Sequence, residues 1–415
     1  MTLGMESTES SLLAYLAEHK DEILEFAREL VRTPSPNPPG DERAVADAVT
    51  ARLAELGITD VERLGAKPDR PNLIVRLRGT GDGPTLMLSG HLDTKPAGDL
   101  EAWETDPWDP VLRNGNLVGL GSGDMKAAVA AMVYALGAMK ATGTFSGQLV
   151  AVFTADEEAG SALGSKWLAD NGRLEADVAV IGEPSGIERE WESLHLVSRG
   201  AALFKIKITG TQMHSSISDR IKGVNATVKM ARLIDRMDRD LGAYLTYEPH
   251  PLSPTGPTIN VGVMAEAGVF YGVYPGNAEF ACDLRTLPGM DEQQLIDDIN
   301  RFLTAAMAED PDLRAELVWE LMVPATEIPA SEPIVGILQE AAGEVLGRTP
   351  RLDAFPGATD APHFQLTAGI PCVAAFGPGM LPRAHSPNEF MAAKSVSEAA
   401  DIYTLASIRY LGVPE

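Results

Sequence analysis

Three times in this 415-residue chain a short apolar run stops and ionisable residues follow at once. Thr85–Ser89 leads into SGHLDT (Ser89–Thr94), Gln148–Thr154 into TADEEAG (Thr154–Gly160), and Asp177–Ile181 into IGEPS (Ile181–Ser185). Apolar runs of this length, bounded by polar residues, fit buried strands. The Ala- and Met-rich stretch from Asp124 to Met139 between them predicts a helix, as do Glu9–Val31 and Asp41–Leu56. Strands alternating with helices predict an α/β fold, a mostly parallel sheet flanked by helices. In such open sheets, sites form beyond the carboxyl ends of the strands, so the three motifs point to one place.

The pattern changes after Pro184. Ala202–Ile208 alternates, with Phe204, Ile206 and Ile208 on one face, and a helix from Val224 to Leu241 follows. Strands near Thr258–Val263 and Ala278–Arg285 and a helix over Asp291–Met307 complete an α+β pattern suited to an antiparallel sheet. The αβ pattern resumes at Pro333, with a strand over Ile370–Phe376 and a helix over Ser395–Tyr410. The expected organisation is a first domain over 1–191, an inserted α+β domain over 192–310, and the rest of the first domain over 311–415.

Composition excludes several classes. With 34 Lys and Arg against 59 Asp and Glu, the formal charge is −25, which argues against nucleic acid or an anionic membrane as partner. Cys282 and Cys372 are too few for a disulfide scaffold or a thiolate zinc site. No leader-like segment and no run long enough to span a bilayer is present, so a cytoplasmic protein acting on a small molecule is expected.

The motifs carry the chemistry. His91 and Asp93 leave their strand two residues apart and can point the same way. Asp124 in GSGDMK is placed at a helix start, Glu157 and Glu158 lie in the acidic run, Glu183 follows a strand, and AHSPNEF (Ala384–Phe390) supplies His385. Each has a plain structural explanation alone: a turn histidine, a helix cap, a solvated strand end. Three adjacent acids need solvent or a cation to relieve their repulsion. Together, imidazole and carboxylate without thiolate suit zinc, and also manganese or cobalt.

SGHLDT, Asp106–Trp108, GSGDMK, TADEEAG, IGEPS, His214–Ser216 with Gly223–Ala226, Asp283–Arg285 and AHSPNEF follow one another in the order of a known family. The chain resembles the dinuclear zinc amidohydrolases that include acetylornithine deacetylase, succinyl-diaminopimelate desuccinylase, carboxypeptidase G and aminoacylase. The resemblance implies a two-metal catalytic domain and an inserted lid that forms a homodimer. It assigns Asp124 as the bridging ligand, His91 and Glu183 to one ion, and Glu158 and His385 to the other. It makes Glu157 the general base, Asp93 the partner that orients His91, and His214 an oxyanion donor. Arg285, Gly357, Asn260 and Tyr271 become candidate substrate contacts.

Desuccinylase-type relatives carry an Asn pair where this chain has Tyr271 and Gly272, and a Thr where it has Ala358. The implied reaction is hydrolysis of an amide C–N bond in an N-acyl amino acid or small peptide. Two other readings stay open: an aminohydrolase acting on an aromatic amine, amidine or ureido group at the same site, and a non-catalytic metal-binding module.

Overall fold

The structure, a computed structural model, describes residues 3–414. It forms two compact units: the chain up to Ser198 with Glu327–Phe355 and the chain from Thr359, and Arg199–Thr326 with Pro356–Ala358.

The first unit is built on a six-stranded sheet. In chain order its strands are β1 (Val61–Leu64), β2 (Asn72–Arg78), β3 (Gly81–His91), β4 (Ser146–Thr154) and β5 (Val178–Ile181), joined by the two-residue strand Cys372–Val373. The spatial order is β1-β2-β4-β3-β5-Cys372–Val373. The four strands from β4 to Cys372–Val373 are parallel, and β1 and β2 run antiparallel at one edge. Helix Ala127–Thr142 is buried from Ala127 to Met139. A helix apolar all round has no solvent face and belongs in the core. It stops at Gly143, whose φ of 63° allows its N–H to reach the Met139 carbonyl at 3.1 Å.

Three expectations needed correction. The helix expected over Glu9–Val31 is two helices, Leu3–Glu18 and Lys20–Val31. They part at His19, whose ring stacks on Tyr15 at 4.1 Å. The helix expected from Asp124 begins at Ala127, because Asp124 and Met125 have non-helical backbone dihedrals. The strand expected over Ile370–Phe376 contracts to Cys372–Val373, because the following residues change partners. Ala374 N–H bonds to His195, and Phe376 N–H to Ile181.

The second unit has a four-stranded antiparallel sheet of β6 (Gly200–Thr209), β7 (Thr258–Ala267), β8 (Asn277–Thr286) and β9 (Ala315–Val323), in the order β7-β8-β6-β9. One face is apolar: Phe204, Ile206 and Ile208 of β6 and Phe280, Cys282 and Leu284 of β8 are buried. Two amphipathic helices supply the rest of this core. Ala226–Asp240 contributes Met230, Leu233 and Met237, and Glu292–Glu309 contributes Leu295, Ile299 and Phe302. Asn225 and Asp291 start them as caps, accepting the N–H groups of Val228 and Gln294 at 3.0 Å.

Candidate metal centre

Strand register builds the site. In the parallel pairs His91 lies opposite Thr154, and Ser89 opposite Ile181. β3 and β4 therefore end level and β5 two residues short of them, and the residues just beyond converge. Glycine adjusts the packing beneath. A Cβ at Gly182 would lie 2.5 Å from the Met132 methyl, and one at Gly90 would lie 2.9 Å from that of Met125. The residue before each of His91 and Glu183 must be this small for these methionines to pack against the strand ends.

Asp124 is the centre of the arrangement. Its Oδ1 lies 3.0 Å from His91 Nε2 and its Oδ2 lies 3.1 Å from His385 Nε2. His91 Nε2 is also 3.6 Å from Glu183 Oε1, and His385 Nε2 is 3.1 Å from Glu158 Oε1. Two groups able to hold a metal ion result, His91–Asp124–Glu183 and Asp124–Glu158–His385, with donor atoms within 4.8 Å of one another. The first is wholly buried, while the His385 side chain is 44% exposed.

Buried, mutually repelling carboxylates dominate the electrostatics of the site. Burial, then the charge of Asp124, pushes Glu183 well above the usual carboxylate range. Burial, then Glu183, does the same to Glu157. Burial works against a charged His91, but Asp124, Glu183 and Glu157 outweigh it and raise the imidazole well above its usual value. Burial likewise opposes His385, which Asp124 and Glu158 bring up to about 10. Carboxylates so crowded call for positive charge, and an oxygen–imidazole donor set without thiolate fits a divalent ion of the zinc, manganese or cobalt kind.

Asp93 and Glu157 adjoin the triads. The His91 Nδ1 is 3.0 Å from the Asp93 main-chain oxygen and 3.6 Å from its carboxylate. Asp93 accepts the backbone N–H groups of Glu157 at 3.2 Å and Glu158 at 3.1 Å. The two glutamates lie in a 3₁₀ turn, Glu157–Ala159. Such a turn rotates successive side chains by about 120°, so they diverge. The Glu157 carboxylate accepts no hydrogen bond from any described residue.

Other residues around the site carried no functional reading in the sequence. Asn37 donates to Asp93 at 2.8 Å and to Asp156 at 3.0 Å. Buried Arg70 grips Glu42 with two hydrogen bonds and reaches Asp156 at 2.8 Å. Asp156 has a positive φ of 66°, a strained setting for a non-glycine residue, which these bonds help to hold. Glu389 accepts the N–H groups of Gly121, Gly123 and Asp124, fixing the loop that carries the shared carboxylate. Lys95 contacts Glu158. Two had sequence signals: Lys95 directly follows SGHLDT, and Glu389 lies within AHSPNEF.

The remaining candidates belong to the second unit. His214 is exposed, and its Nδ1 accepts the Ser216 N–H at 3.2 Å, which leaves Nε2 to carry the proton of a neutral ring. Arg285 pairs with Asp283 at 2.8 Å, and Asn260 lies opposite Asp283 on the same face of the sheet. Tyr271 is 93% exposed beside Phe270. Gly357 lies in the short segment Pro356–Ala358 of this unit.

Two imidazole–carboxylate triads sharing one acid, at the strand ends of an α/β sheet, define a metal-dependent hydrolase. The model of peptidase family M20/M25/M40 matches residues 87–408, and the chain belongs to that family, whose members hydrolyse amide C–N bonds of acyl amino acids and peptides. It is 30% identical over 378 residues to an acetylornithine deacetylase of Proteus mirabilis, covering 89% of this chain and 92% of that one. It is 29% identical over 392 residues to a succinyl-diaminopimelate desuccinylase of Parvibaculum lavamentivorans, covering 92% and 93%. An M20-family metallo-carboxypeptidase of Sulfolobus solfataricus shares the fold, with a TM-score of 0.75 at 19% identity over 94% of this chain and 99% of that one.

Proposed function

We propose that the protein is a two-metal deacylase that releases a free amine from an N-acyl amino acid or a small peptide, with zinc as the metal. The observation that carries this reading is Asp124, whose two oxygens each face a different imidazole, at 3.0 and 3.1 Å. His91 and Glu183 would hold one ion, Glu158 and His385 the other, with Asp124 common to both. Ions held there would supply Lewis acidity, polarising an amide carbonyl and acidifying a water. Glu157, its carboxylate unengaged, takes the proton from the attacking water and passes it to the leaving amine. Such positioned transfer is worth about 10²–10⁴-fold in rate.

Asp93 orients the His91 ring and, through two backbone N–H groups, the turn that carries Glu157 and Glu158. His214 donates its Nε2 proton to the developing oxyanion, a role that its Ser216 contact supports. Arg285 clamps a substrate carboxylate, Asn260 and Gly357 contribute polar contacts, and Tyr271 takes an apolar or aromatic part of the substrate. The active form is a homodimer made through the second unit. Its edge strand β7 leaves Val263 and Met264 exposed, suited to pairing with a second copy.

The test is amine release from a panel of N-acyl amino acids, dipeptides and aromatic amines, with and without a chelator. Chelator-sensitive release of a free amino acid is expected. Ammonia from an aromatic or amidine compound, with amides untouched, moves the assignment to an aminohydrolase on the same centre.

A further inference from the structure

The two triads differ in the company they keep. Among the described residues no lysine or arginine pairs with His91, Asp124 or Glu183. The second triad has a cation of its own in Lys95. Its Nζ lies 3.3 Å from Glu158 Oε2 and also donates to the Glu158 main-chain oxygen, while its backbone N–H reaches Glu158 Oε1 at 3.1 Å. The carboxylate is thus divided. Oε1 faces His385 Nε2 at 3.1 Å, and Oε2 belongs to the lysine. The Lys95 side chain is 37% exposed and that of Glu158 only 4%, so the lysine can leave into water while the acid stays.

We infer that Lys95 is a built-in competitor for the second metal ion, setting that position to bind more weakly than the buried one. This rests on the two-metal reading above. A bound ion at the second position must share Glu158 with a fixed positive charge, or displace that charge into solvent. Either route lowers affinity. Repulsion at this range, discounted for the partial exposure of the lysine, amounts to on the order of a tenfold loss. The first position meets no such opponent. The backbone N–H of Lys95 does not depend on its side chain, so a neutral residue removes the charge and leaves the positioning hydrogen bond to Oε1 in place. Charge and geometry are therefore separable by substitution.

The experiment is calorimetric titration of the full-length, chelator-treated protein with Zn²⁺, comparing wild type, Lys95→Met, Lys95→Gln and Lys95→Arg. Melting curves establish that each is folded, and two neutral variants guard against failure of one. The expected result is an unchanged first equivalent in all four. The second should tighten about tenfold in the Met and Gln variants and keep its wild-type constant in Lys95→Arg. Two equivalents in every protein, with the second unchanged or weaker in the neutral variants, overturns the role of Lys95 and leaves the metal centre standing. Fewer than two equivalents in every protein overturns the two-metal reading, and this inference with it.

Discussion

His91 and Glu183 lie buried at the ends of two parallel strands, with methionines from the central helix and its lead-in packed beneath through Gly90 and Gly182, and Asp124 joins them from that lead-in. The triad of Asp124, Glu158 and His385 borrows one acid from the first and is otherwise made of a 3₁₀ turn and a loop, with His385 at a positive φ of 57° and 44% exposed. Strand pairing fixes His91 and Glu183 of the first triad, and side-chain and main-chain hydrogen bonds hold the shared Asp124 and the second. The contrast teaches that a shared ligand can join sites of unequal rigidity. Disturbing the sheet should damage both, while disturbing the turn should damage only one.

The largest effect is expected from Asp124→Asn, which weakens the only ligand common to both positions. Loss of both equivalents, each by more than the ~10–100-fold typical of partners outside the ligand set, should appear in metal analysis after dialysis. Full dinuclear loading would end the idea of a shared carboxylate. Next comes Asn37→Ala, which removes the hydrogen bond to Asp93 and with it support for the His91 ring and for the Glu157–Glu158 turn. A fall of about 10–100-fold in metal affinity is expected, with turnover falling in parallel. Equal retention of both ions by this variant would show that the network beneath the site does not reach it.

The smallest effect on the centre is expected at His195, in the strand Ser193–Ser198, which belongs to neither triad. Burial pulls this imidazole down to about 4. Its unfolded value is near 6.5, so between these limits the unfolded chain binds a proton that the folded chain refuses. The contribution of His195 to stability should be flat above pH 6.5 and fall as pH drops toward 4, by up to about 3 kcal/mol. Denaturant unfolding across this range should show the slope in wild type and a shallower one in His195→Gln, with metal content at pH 7 unaltered. Identical slopes would reject a buried neutral His195.

What could be read beforehand was local. SGHLDT, TADEEAG and IGEPS each follow their strand directly, so the convergence of their acids beyond one end of the sheet was visible in the sequence. The strand Ala315–Val323 was not, because it is half-exposed and pairs with β6, more than a hundred residues earlier in the chain. Arg70 gave no sign either. It meets Glu42 and Asp156 from 28 and 86 residues away, and no periodicity encodes such a meeting. The Pro-rich run Thr33–Gly40 delivers Asn37 to Asp93, a contact that its composition does not announce. Asp124 stood out as a candidate ligand while its backbone did not, since the lead-in departs from helical dihedrals just where the carboxylate is aimed.

The five proposed donors are unevenly spaced along the chain. His91, Asp124, Glu158 and Glu183 are all in place once residue 183 has been made, whereas His385 comes some two hundred residues later, after the whole of the second unit. During synthesis the donors of the buried triad are therefore all present on a chain that has no means of completing the other, while Glu389, which fixes the loop carrying Asp124, is made after all five. Order of manufacture thus separates the two positions.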